Sequence, residues 1–86
     1  MSHRKDDDHV IHFTPEMGFR IEALAATIVQ AMREMEMDAQ IHLPGSNIII
    51  DIERECTAKE IVKGYKDFVK GQVTIRIPSN KNERQT

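Results

Sequence analysis

The apolar positions of the chain change period four times, and each change marks an element. Val10-Ile11-His12-Phe13 is a short β-rich run ended by Thr14-Pro15, because proline cannot donate to a strand ladder. From residue 19 to 36 the spacing becomes helical: Ile21, Leu24, Ala25, Ile28, Met32 and Met35 recur every three or four residues. Arg20, Glu22, Thr27, Gln30, Arg33, Glu34 and Glu36 fill the other side. Ala39 to Leu43 then alternates with period two, Ile41 and Leu43 to one face and Gln40 and His42 to the other. Pro44-Gly45 suits the centre of a type II turn, since proline presets φ and glycine tolerates positive φ. Asn47 to Glu53 alternates again, so the pair predicts a β-hairpin with Ile48, Ile50 and Ile52 inward and Ile49, Asp51 and Glu53 outward.

A capping box, Thr57-Ala58-Lys59-Glu60, opens a second helix. Its expected buried stripe is Ile61, Val62, Tyr65, Phe68 and Val69, and Gly71 stands where a left-handed cap would end it. Gln72 to Ile77 alternates once more with Val73, Ile75 and Ile77 inward, and Pro78 stops the run. Residues 1–9 and 78–86 are polar and aperiodic, expected to form disordered arms around one domain at 10–77. Each strand has one apolar and one more polar face, so both helices should cover the same side. The expected fold class is therefore α+β: an open-faced two-layer sandwich, βαββαβ, with two helices on one face of a four-stranded sheet. Ile49 and one of Val10 and Ile11 are left on the open face, where they would suit a homodimer as well as a monomer.

With 86 residues the chain is one small domain, of a size that buries only about 60% of its unfolded surface. Twelve basic against fourteen acidic side chains give a formal charge of −2, without the global positive field of most non-specific nucleic-acid binders. A single cysteine, Cys56, excludes an internal disulfide and fits a cytoplasmic location. No apolar run is long enough to span a membrane, and the first nine residues lack a signal-peptide core.

The stretch Val10-Ile-His-Phe-Thr-Pro-Glu-Met-Gly-Phe-Arg20 resembles the histidine-containing phosphocarrier (HPr) family, where a strand and short loop lead to Gly-Leu-His-Ala-Arg-Pro-Ala-Ala. The likeness extends to element order over residues 10–77, to the hairpin, and to Val69-Lys-Gly-Gln-Val-Thr-Ile75. It implies a bacterial regulatory domain that meets partners through the Gly18–Glu22 loop and the start of the second helix. On that footing Phe19, Arg20 and Glu22 are the candidate protein-binding residues. Thr57 loosely matches a family serine that is phosphorylated in some bacteria. The departures are Arg20 for the histidine, Glu22 for the following arginine and Ala23 for the proline, with a longer stretch before the last strand and no third helix.

Arg20 decides a mechanism. Phosphoryl carriage needs a nitrogen nucleophile with a free lone pair near pH 7, which imidazole has and a guanidinium lacks. A member with arginine there is expected to bind rather than carry, hence to be non-enzymatic, with no cofactor.

Other candidate chemistry is thinner. Lys59, Lys63, Lys66 and Lys70, spaced four, three and four apart, share one side of the second helix. The plain reading is a solvated outer face. The functional one is a basic strip for an acidic protein or, as the alternative function, a nucleic acid. His9 and His12 are three apart, which on a strand turns the rings to opposite faces, so no metal site is expected. Cys56 is placed to staple against Ile61, although a helix N-terminus also lowers a thiol's pKa. Gly-rich phosphate loops and hydrolase or metalloprotease motifs are absent from the sequence.

Overall fold

A computed structural model describes residues 10–72 and 75–79. Its elements run β1 (Val10–Phe13), α1 (Ile21–Met35), β2 (Asp38–His42), β3 (Ile49–Ile52), α2 (Ala58–Val69) and β4 (Arg76–Ile77). The chain thus combines two helices with a four-stranded open, mixed sheet, an α+β composition. Strand order across the sheet is β1-β2-β3-β4. β1 runs parallel to β2, β2 antiparallel to β3, and β3 parallel to β4.

The hairpin forms through the turn chemistry of its loop. The Ser46 N–H donates to the Leu43 carbonyl at 3.3 Å across Pro44-Gly45, with Gly45 at φ 75°. That positive φ belongs to the third residue of a type II turn, where glycine carries no Cβ penalty. β2 and β3 then pair Ala39 with Ile52 and Ile41 with Ile50, and all four side chains are buried. On the other face Gln40 lies opposite Asp51, and its amide donates to the Asp51 carboxylate at 2.7 Å.

α1 is held by burial. Ile21, Ala25, Ile28 and Met32 form a stripe at four-, three- and four-residue steps, all buried in one core with Ala39, Ile41, Ile50, Ile52, Ile61 and Ile77. Its N-cap, Arg20, is extended and makes no side-chain capping bond. α2 is held differently. The Glu60 N–H donates to the Thr57 hydroxyl at 3.2 Å, and the Thr57 N–H to the Glu60 carboxylate at 2.9 Å. Both halves of the capping box are therefore made. α2 fully buries only Ile61. Gly71 at φ 91° ends it, its N–H donating to the Phe68 carbonyl at 3.0 Å.

Several expected core positions lie elsewhere. Ile48 is 39% exposed because β3 begins one residue later, leaving Ile48 in the loop as acceptor from the Leu43 N–H. Met35 and Val69, each in the last turn of its helix, are exposed. Ile75, just ahead of β4, is also exposed; its carbonyl still accepts from the Asp51 N–H at 2.9 Å. Val73 lies outside the described residues. Ser79, expected in a solvated tail, is buried, and its N–H donates to the Glu53 carboxylate at 3.1 Å.

Candidate functional site

α1 and α2 pack against each other, and the contact joins the two stretches that the sequence singled out separately. Phe19, just ahead of α1, is half-buried and meets Tyr65 of α2 edge-on, ring centroids 5.5 Å apart at 62°. That T-shaped arrangement sets the positive edge of one ring against the face of the other. One turn on, the Lys66 ammonium lies 3.3 Å from the Glu22 carboxylate. Arg20 is exposed between them in sequence. The Glu22 carboxyl is held below its ordinary value, first by backbone N–H donation at the start of α1 and then by Lys66.

Beside this junction runs a groove of about 680 Å³. All four lysines of the strip, Lys59, Lys63, Lys66 and Lys70, line it together with Glu22 and Asp67, over Ala58 and Val62. Lys63 pairs with Asp67 at 3.0 Å one helical turn on, an exposed contact of modest worth. Among the described residues Lys59 and Lys70 form no salt bridge. Asp67 and the apolar floor were not singled out in the sequence. The i,i+4 spacing of Lys63 and Asp67 was the available signal for the first. Ala58 stood in the sequence only within the capping box, and Val62 only as a core-facing position.

Thr57 lies apart from the groove. Its hydroxyl is engaged in the capping box, and it lines a second cavity of about 570 Å³ with Arg33, Arg54, Cys56 and Glu60. Cys56 is a core residue: it is 3% exposed and its thiol donates to the Ile77 carbonyl at 3.2 Å. Burial, with Glu60 adding to it, pushes that thiol up to about 12. The thiol therefore stays protonated and inert near neutral pH, despite the adjacent helix start.

The polar sheet face brings together two histidines that the sequence left apart. His12 Nδ1 and His42 Nε2 are 2.9 Å apart, with ring centroids at 5.1 Å. The two nitrogens face one another across that contact, so one ring carries the proton that the other accepts. Among the described residues no group of three metal-ligating side chains converges. Among the described residues no helix is long and apolar enough to cross a membrane.

At the far edge, Glu53 joins β3 to the segment from Arg76 to Ser79 by accepting from both the Arg76 guanidinium and the Ser79 N–H. These two donors, Arg76 first, hold its carboxyl below the ordinary value. No protein-family model matches the chain, and neither a curated protein nor a solved structure matches it.

Proposed function

We propose that this is an HPr-like regulatory or adaptor domain: non-enzymatic, acting by protein–protein binding, and not competent for histidine phosphoryl transfer at the position of Arg20. The fold behind this reading is the open-faced βαββαβ sandwich with both helices on one face of the sheet. Contact between α1 and α2, and the polar opposite face carrying Gln40, His42 and Asp51, support that arrangement.

One observation carries the functional reading. The Glu22–Lys66 bridge sets the Phe19–Glu22 stretch beside the second half of α2, so the loop and the lysine strip share one surface. Arg20 and Glu22 are exposed on it, and Phe19 stiffens the loop by packing on Tyr65. The Arg20 guanidinium fork serves as a charged anchor for a partner's carboxylates. Phosphorylation at Thr57 would add negative charge at the positive end of α2, where it is tolerated, and is a second means of control.

Affinity capture from an extract of the native organism tests the binding role. A partner held by the wild type and lost from Arg20→Ala supports it; equal capture by both contradicts it. Incubation with a phosphohistidine donor, followed by intact-mass measurement, tests the non-carrier claim. The expected result is no mass gain. A gain abolished in His12→Ala would assign the carrier role to a different histidine.

A further inference from the structure

The lysine groove has a chemical character that goes beyond a generic contact surface. The chain as a whole is acidic, with a formal charge of −2. The groove is the reverse: four lysines stand against two carboxylates, Glu22 and Asp67, an excess of two positive charges. Beneath the ammonium groups lies apolar carbon from Ala58 and Val62, and Val69, two turns after Val62 and outside the groove lining, is 61% exposed. Apolar and cationic positions therefore alternate along the same side of α2.

From this we infer that the groove binds an acidic peptide segment of a partner protein, one that also carries aliphatic anchors. The inference rests on the adaptor reading above and names the partner's chemistry. Charge complementarity selects acidic residues, and the lysines steer their approach from a distance. The floor of Ala58 and Val62 selects aliphatic side chains, which a sugar–phosphate strand does not offer. Glu22 and Asp67 weigh further against a nucleic acid, because each meets a phosphate with like charge. Among the described residues no aromatic ring lines the groove to stack a base, since Tyr65 is turned to Phe19. A peptide can instead donate its own N–H groups or a lysine to those two carboxylates.

The test uses three fluorescent probes on the full chain: a short Glu/Leu peptide with leucines at helical spacing, an oligoglutamate of equal charge, and a single-stranded oligonucleotide of equal charge. Fluorescence anisotropy is read at low and at physiological ionic strength. The Glu/Leu peptide should bind about tenfold tighter than either other probe, the gain of burying roughly two methylenes. The double variant Lys59→Glu/Lys70→Glu, which breaks no described salt bridge, should weaken that binding by about tenfold and leave the thermal midpoint unchanged. Val62→Asp should remove the preference for the leucine-bearing probe. Equal binding of the two peptides, tighter binding of the oligonucleotide, or no binding of any probe overturns the inference. The adaptor reading fails separately, on equal capture of a natural partner by wild type and Arg20→Ala; a partner lost with Arg20→Ala but kept by the double lysine variant would preserve the adaptor and overturn the groove as its contact.

Discussion

The two halves of the molecule, β1-α1-β2 and β3-α2-β4, repeat one plan and are stabilised by different means. α1 buries four side chains and has no side-chain cap, whereas α2 buries one and carries a complete capping box. The first helix is secured by what lies beneath it. The second relies more on local bonds at its own start, because its outer side is given over to lysines. The difference leaves the outer side of α2 free to carry charge. A helix that gains little from packing can leave charged groups exposed to a partner without loss to the core.

With strands ordered β1-β2-β3-β4 and only the central pair antiparallel, crossovers of the same hand would place α1 and α2 on opposite faces. Helices on one face, as proposed, require crossovers of opposite hand, one of them the uncommon left-handed kind. The short β4, tied to β3 by the Asp51 and Glu53 N–H groups and by the Glu53 carboxylate, is where the second half closes.

The sharpest way to probe the contrast is to truncate equivalent apolar residues. Ile28→Ala, in the core stripe of α1, should cost about 2–5 kcal/mol in urea unfolding, while Val69→Ala, on exposed α2, should be close to neutral. Equal losses would erase the distinction between the halves.

Alkaline titration probes the seam between α2 and β4. The Cys56 thiol is raised from 9.0 to about 12 in the folded protein, so the folded state binds the extra proton above pH 9. Its contribution is complete below pH 9 and is lost progressively as pH rises toward 12. Thermal midpoints should fall over that window in the wild type, and the part due to this group should vanish in Cys56→Ala. Thiol reagents should leave Cys56 unmodified until the chain unfolds.

Gly64 tests the same seam by steric means. A Cβ there would stand 2.7 Å from Ile77 Cγ1 and 2.8 Å from its Cδ1. Helix propensity favours alanine by about 1 kcal/mol, but overpacking a buried neighbour costs about 1–3 kcal/mol. Gly64→Ala should therefore destabilise by about 1 kcal/mol, measured by denaturant midpoint, where an open helical glycine would be stabilised. Smaller again is the difference at the two helix starts. Thr57→Ala should lose about 1 kcal/mol with its capping bond, and Arg20→Ala should leave stability unchanged, because Arg20 makes no cap.

Much of this was legible in the residue order, and the limits have physical causes. The α1 stripe, the hairpin turn and the capping box are set by neighbours within four residues of one another, so period and turn chemistry identify them. The fates of Met35, Val69 and Ile75 depend on where an element ends against its neighbours, which alternation alone does not encode. At the candidate site the lysine spacing was readable, since helical geometry alone puts those residues on one side. Its bridge to Glu22 was not, because Lys66 and Glu22 meet only when α1 and α2 pack. The His12–His42 contact likewise depends on the parallel register of β1 and β2.

Everything proposed for function depends on α1 and α2 lying side by side, and through-space NMR contacts between the Phe19 and Tyr65 rings read this directly. The account predicts strong cross-peaks between the two aromatic spin systems, as centroids 5.5 Å apart require. Their absence, with α2 protons instead contacting Gln40 and His42 on the other side of the sheet, would contradict it.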